Sequence, residues 1–210
     1  MAENFVITIA RGYGSGGRTV GKMLAKTLDI PFYDRELFYL ASEDSGINLS
    51  LFGSSDEKIK KGLFTPATHK YTGDLIPPES SDFVSNENLF NYQAKIIREL
   101  AATRSCVIVG RCADYVLRDF PGLVDVLVWA PHDICVQNIV EIEGLSEKEA
   151  DRKIRKIDKH RSEYYRYYTG HDWNDIRNYS ACINSGRLGF EKTAQAIRQF
   201  AELKLGRPIG

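Results

Sequence analysis

Apolar residues along the chain fall into two alternating patterns, short continuous blocks and stripes spaced three or four residues apart. The first block, Phe5–Ala10 (FVITIA), is rich in β-branched residues and is followed by glycines, which predicts a strand buried on both faces of a parallel sheet. Behind it Val20, Leu24 and Leu28, with Met23 alongside, mark one face of a helix. Ile30–Asp34 (IPFYD) predicts a brief second strand, with Asp34 as N-cap of a helix carrying Leu37, Leu40 and Ala41. Further on, Leu89, Gln93, Ile96, Ile97 and Leu100 stripe another helix. Ser105–Arg111 (SCVIVGR) and Val124–Ala130 (VDVLVWA) are two more strand blocks. Between them, Cys112–Gly122 (CADYVLRDFPG) predicts a short helix ended by Pro121-Gly122. The chain closes with a charged helical segment, Leu145–Gly170, a last strand in Tyr179–Ser185 (YSACINS), and a helix stopped by Gly206. Strand and helix alternating in this way predict an α/β fold, a parallel sheet covered on both faces.

Residues 44–88 break the rhythm. Gly, Ser, Pro and charged residues dominate there, and Ile76–Ser81 (IPPESS) is a strong breaker. So long a stretch is no plain connection; it predicts an insertion with a function or mobility of its own.

Composition narrows the classes. The 210 residues suffice for one domain, and 43% hydrophobic with 27% charged residues is the balance of a soluble globular protein. Lys and Arg equal Asp and Glu at 28 each, so no global basic field points to nucleic acid or an anionic membrane as partner. No apolar run approaches the length of a membrane span, and MAENFVITIA lacks the regions of a signal peptide. Cys106, Cys112, Cys135 and Cys182 show no CxxC spacing; Cys106 and Cys182 lie in strand-like blocks and are expected to be small buried hydrophobes. The histidines His69, His132, His160 and His171 are dispersed, against a structural zinc site. The expectation is a reduced, cytoplasmic protein.

The chemistry concentrates after the first strand. Gly12, Gly14 and Gly17 spell the G-x-G-x-x-G of a dinucleotide turn, with Asp34 where an acidic residue would meet a ribose. That fold requires a third βα unit soon afterwards, whereas roughly 70 residues of helix and insertion intervene before Cys106. Gly12–Thr19 (GYGSGGRT) also spells G-x-x-x-x-G-K-[ST] with Arg18 in place of lysine, and this reading accounts for more of the residues. In it Gly12, Tyr13, Gly14, Ser15, Gly16 and Gly17 wrap backbone N–H groups around an anion. Arg18 neutralises the β- and γ-phosphates as a planar fork, and the Thr19 hydroxyl ligates Mg²⁺.

Taken in order, Gly12–Thr19, the Val107–Arg111 strand (VIVGR) with Cys112–Asp114 after it, Asp158–Arg161 (DKHR) and Ile183–Gly189 (INSGRLG) resemble the nucleoside monophosphate kinases. They are most similar to the cytidylate-kinase-like branch, in which an arginine-type phosphate loop also occurs. The resemblance spans nearly the whole chain. It implies a single P-loop kinase domain over residues 1–210, a three-layer fold with a five-stranded parallel sheet in the order 2-3-1-4-5. It also implies an acceptor-binding insertion over residues 36–88 and a lid over residues 145–172. The implied activity is transfer of the γ-phosphoryl of ATP to a nucleoside monophosphate, CMP or dCMP first, with Mg²⁺. Such transfer rests on positioning and charge neutralisation, which suits a chain with many arginines and no Ser-His-Asp or Cys-His arrangement.

By position, the resemblance assigns Gly12–Thr19 to the ATP phosphates and Arg111 to the acceptor phosphate. Arg111 also ends a strand block, where ligands sit in such sheets. Asp158 would meet the acceptor ribose and Arg161 its phosphate or the transferring group, with Arg152 and Arg155 on roughly the same helical face to close over the phosphates. Of these two, Arg152 would close toward ATP, and Arg155 would be part of the catalytic set with Arg18, Arg111 and Arg161. Ser185, Gly186, Arg187 and Leu188 fall where related kinases pass the adenine. The family's usual Asp after Gly-Arg is Cys112 here, leaving Asp114 as the candidate to replace it; Asp34 completes the substrate-binding set. No stretch of the insertion matches the cytosine-binding residues of cytidylate kinases. Two alternatives therefore stay open, a kinase of a non-nucleotide metabolite and an ATP-binding regulatory module that has lost catalysis.

Overall fold

The computed structural model describes residues 4–57, 71 and 73–210, so part of the expected 36–88 insertion, with His69, lies outside the described residues. Five strands, β1 (Val6–Arg11), β2 (Phe32–Tyr33), β3 (Cys106–Val109), β4 (Leu123–Trp129) and β5 (Ala181–Asn184), form one sheet in the order β2-β3-β1-β4-β5. Every pairing is parallel. Ile9 pairs Val109 on one side of β1, and Arg11 pairs Val128 on the other, so Arg11, Gly110 and Ala130 leave the sheet at one edge.

Alternation of side chains along each strand sorts the core into two layers. Ile7, Ile9, Val107, Val109, Val124, Val126 and Val128 face α1 (Gly17–Leu28) and α9 (Phe190–Leu205). Val6, Cys106, Ile108 and Leu123 face the other way. That second face is covered by α2 (Glu36–Ser45), α3 (Leu49–Glu57), α4 (Asn86–Thr103), α5 (Ala113–Val116) and the C-terminal part of α7 (Glu147–Thr169). Helix α6 (His132–Glu143) packs on the first half of α7 through Cys135, Ile139, Ala150 and Ile154. A four-residue α8 (Ser185–Leu188) joins β5 to α9.

Several expectations change. Within the irregular stretch the structure has helix α3, whose Gly- and Ser-rich sequence hides it. Phe52 is fully buried there, its ring centroid 6.4 Å from that of Phe38, and packing overrides weak propensity. The expected helix at 112–122 shrinks to α5 and turns. Helix α2 begins after Arg35, and Asp34 is not its cap: the Asp34 N–H donates to Glu36 Oε2 at 2.9 Å. Cys182 is exposed because β5 is an edge strand, whereas Cys106 is buried and its thiol pushed up to about 12 by that burial.

The described residues before α4 are tied to it chiefly through Asn88, with Asn91 donating to the Asp74 carbonyl as well. Buried Asn88 accepts from the Ile76 N–H at 2.8 Å and donates to the carbonyls of Ile76 at 3.1 Å and Phe83 at 2.7 Å. The start of α4 thereby satisfies the backbone of the segment before it. No described helix is long and apolar enough to cross a membrane.

Candidate active site

A cleft of about 970 Å³ opens at the carboxyl edge of the sheet, where ligands bind in open parallel sheets. Its floor is Gly12–Thr19. Backbone geometry explains the glycines: Gly14 and Gly16 hold φ of +84° and +75°, where other L-residues are strained. A Cβ on Gly14 would lie 2.6 Å from the Cys135 carbonyl oxygen, and one on Gly16 would lie 2.2 Å from the Phe190 ring. The loop is braced from behind. Ser15 Oγ donates to the Gly12 and Val128 carbonyls at 2.9 and 3.0 Å, Ser185 Oγ to the Ser15 and Trp129 carbonyls at 2.7 and 3.0 Å, and Asn138 to the Gly14 carbonyl at 2.8 Å. The N–H groups of Gly17, Arg18 and Thr19, in the first turn of α1, have no acceptor within the helix. This is a cradle for an anion at a helix N-terminus.

The opposite wall begins where β3 ends. Gly110, Arg111 and Cys112 take φ of +77°, +62° and +52° in succession. Holding two side-chain-bearing residues left-handed costs about 1–2 kcal/mol each, the kind of strain that collects at functional sites. The Arg111 guanidinium lies 4.0 Å from the centroid of the Phe38 ring, which fixes it against α2. Asp114 is buried in the same wall and accepts from Tyr165 Oη at 2.6 Å.

Burial pushes the Asp114 carboxyl up from 3.8 to about 6, against the hydrogen bond from Tyr165, which favours its charged form. Between about pH 4 and 6 the folded protein thus holds a proton that the unfolded chain has lost, so the stability Asp114 contributes falls as pH rises through that window. Asp114→Asn keeps an acceptor for Tyr165 and removes the ionisation. We expect it to match the wild type near pH 4 and exceed it above pH 6, by on the order of 2–3 kcal/mol in urea unfolding. Equal pH profiles for the two proteins would refute the assignment.

The roof is α7, started by a capping box of Ser146 and Glu149. Lys153, Lys156, His160, Arg161 and Tyr164 face the cleft from it. Asp158 accepts the Tyr13 N–H at 2.8 Å and sits 3.2 Å from Arg161, whose Nη1 also donates to the Arg11 carbonyl at 3.0 Å. Burial raises the Asp158 pKa and Arg161 opposes that shift. Tyr13 Oη donates in turn to Glu143, which also accepts from Lys153.

Of the residues singled out in sequence, Gly12–Thr19 (apart from Ser15, behind the loop), Asp34, Arg111, Asp114 and Arg161 line this one cleft, and Asp158 bonds its floor. Arg18 lines it too, but its Nε is paired with buried Asp34 at 2.6 Å and its side chain is 52% exposed. Arg152 and Arg155 do not join the lining. Arg155 is 71% exposed and pairs with Asp151 one turn back, at 3.0 Å. Ser185 braces the loop from behind, and Gly186 and Arg187 stand outside the cleft. The sequence reading missed Arg11, Lys153, Lys156 and His160. The signal for Arg11 was its place at the carboxyl end of the first strand; for the others it was the 3–4 spacing along α7.

The cytidylate kinase-like family matches residues 6–187. The chain belongs to that family. It is 27% identical to an uncharacterized protein from Eubacterium ventriosum, over 95% of this chain and 99% of that one, with a TM-score of 0.70. Shikimate kinase from Bacteroides thetaiotaomicron superposes with a TM-score of 0.52 at 15% identity, over 94% of this chain and 98% of that one, a likeness of fold. No curated protein matches the sequence. The cytidylate kinase-like assignment and the sheet order agree: this is a P-loop kinase fold, and its phosphate loop carries no lysine between Gly12 and Thr19.

Proposed function

We propose that the protein transfers the γ-phosphoryl group of ATP to a nucleoside monophosphate, with CMP or dCMP the first acceptors to test. One observation carries this reading. The anion cradle at Gly12–Thr19 and the left-handed turn bearing Arg111 face a common cleft beneath the cationic side of α7. The loop fits a triphosphate, because its carbonyls are bonded on the far side and Gly12 leaves its wall without a side chain. Magnesium would serve as counter-ion of the ATP phosphates, and the Thr19 hydroxyl is the protein group that would hold it. In the transfer an acceptor oxygen bonds to Pγ as the bond from Pγ to the bridging oxygen breaks, and that electron pair leaves on ADP. A phosphate acceptor attacks as its dianion, so no proton has to move. The protein's part is to hold the two phosphates in line and to spread their charge.

A second reading, a metabolite hydroxyl as acceptor, is favoured by the buried Asp114 carboxyl in the acceptor wall, since a hydroxyl must surrender its proton. The deciding experiment measures ADP release from Mg-ATP with CMP, dCMP, UMP, AMP, GMP and a panel of small hydroxyl metabolites, each alone. Release stimulated by a monophosphate is the expected result. Stimulation by a hydroxyl metabolite alone would replace the first reading with the second. ATP binding without release under any acceptor would overturn both.

A further inference from the structure

We propose that Arg11, the last residue of β1, is the cation on the transferring phosphoryl group. This rests on the kinase reading above. Two glycines from distant parts of the sequence make room for this one side chain. A Cβ on Gly17 would lie 2.5 Å from Arg11 Cβ and 3.1 Å from its Cγ, so the arginine stem lies over the first residue of α1. A Cβ on Gly110 would lie 2.2 Å from Arg11 Nη1, 3.0 Å from Cζ and 3.3 Å from Nη2. The guanidinium therefore rests on the turn that carries Arg111. The side chain runs from the donor cradle to the acceptor wall, along the line a phosphoryl group must cross, and it lines the cleft.

Arg18 is placed differently. Its guanidinium already serves a carboxylate that is only 7% exposed, and half of the side chain is in solvent. Arg11 feels Asp158 as well, and its charge favours the ionised form of that carboxyl. Asp158 also accepts from the Tyr13 N–H and pairs with Arg161, and the Arg11 carbonyl is tied to Arg161, so the strand end, the loop and the roof converge on this residue. A planar fork that can bridge two phosphate oxygens suits a group with charge spread over three equatorial oxygens. The geometry also explains why the first residue of α1 is glycine: any side chain there would collide with the arginine stem.

The test uses the full chain, with inorganic tripolyphosphate as binding probe, acceptor-dependent ADP release as the turnover assay and melting temperature as the fold control. Arg11→Met keeps a stem on Gly17 and removes the charge. We expect it to melt close to wild type, to bind tripolyphosphate ~10–100-fold more weakly, and to turn over ~10²–10³-fold more slowly, as for loss of one preorganised donor. Arg11→Lys should recover part of each, and Arg18→Ala should lose at least several-fold less than Arg11→Met. Gly17→Lys should lose tripolyphosphate binding, while Arg11→Gly combined with Gly17→Lys should bind better than Arg11→Gly alone, because the lysine then has the vacated space. A folded Arg11→Met with wild-type affinity and turnover overturns the proposal. If no acceptor stimulates ADP release by the wild type, the kinase reading falls, and the tripolyphosphate losses still decide whether Arg11 is the cation of this cradle.

Discussion

Arg111→Ala is expected to lower acceptor-dependent turnover by ~10³–10⁵-fold, the range that a charge-stabilising arginine is worth in phosphoryl transfer. ATP affinity should change by less than about threefold, because in the proposed function Arg111 serves the acceptor from the turn after β3, while the proposed nucleotide cradle lies at the start of α1. Backbone strain supplies the control. Arg111 holds φ +62°, so Arg111→Gly relieves about 1–2 kcal/mol while forfeiting a ring contact on Phe38 of about 0.5–2 kcal/mol. The glycine variant should remain folded and still be inactive. Steady-state kinetics with varied acceptor, calorimetric ATP binding and thermal melting read the three quantities. A variant that transfers normally would remove Arg111 from the acceptor site; one that loses ATP binding in parallel would show that the two walls are not separate.

Gly14→Ala should abolish measurable ATP binding and cost about 2–5 kcal/mol of stability, combining left-handed strain with overpacking. The obstacle is main chain and not a side-chain tip. The new methyl would meet the Cys135 carbonyl oxygen at 2.6 Å, Cβ at 2.9 Å and Cα at 3.0 Å, all on α6. Gly46 is the matched control, with φ +73° and nothing within 4 Å of a built Cβ. Gly46→Ala therefore carries the strain alone, about 1–2 kcal/mol, and should bind ATP as the wild type does. Urea unfolding and calorimetric titration of the two variants side by side separate backbone strain from the collision. Equal losses in both would show that α6 does not fix the loop.

Much of this architecture is legible before any coordinates. Buried parallel strands reveal themselves as unbroken apolar blocks because both faces meet helices, so Phe5–Ala10, Ser105–Arg111 and Val124–Ala130 stand out without knowledge of their neighbours. The glycine run and Arg111 follow from local chemistry at strand ends. What stayed hidden depends on tertiary proximity. Helix α3 exists because Phe52 finds Phe38. The room for Arg11 depends on Gly17 beside its stem and on Gly110 beneath its guanidinium, and nothing local to Arg11 announces Gly110, which arrives with β3. Arg155 pairs with Asp151 one turn back on α7 and stays largely in solvent, a partnership that spacing alone allows but does not require. Exposure of Cys182 follows from sheet order, which a single block of sequence does not carry.

Helix α7 is continuous from Glu147 to Thr169 and is held along both halves. Tyr164, Tyr165 and Tyr168 embed its end in the main core, with the Tyr168 ring stacked on Phe90 at 4.0 Å between centroids. Ala150 and Ile154 fuse its beginning to α6, which grips Gly14 through Asn138 and Cys135. An unbroken rod fixed in this way flexes as a beam and has no joint to fold at. Through α6, the first half of this rod is tied to the Gly14 turn, so the roof of the cleft and the tip of its floor are parts of one packed unit.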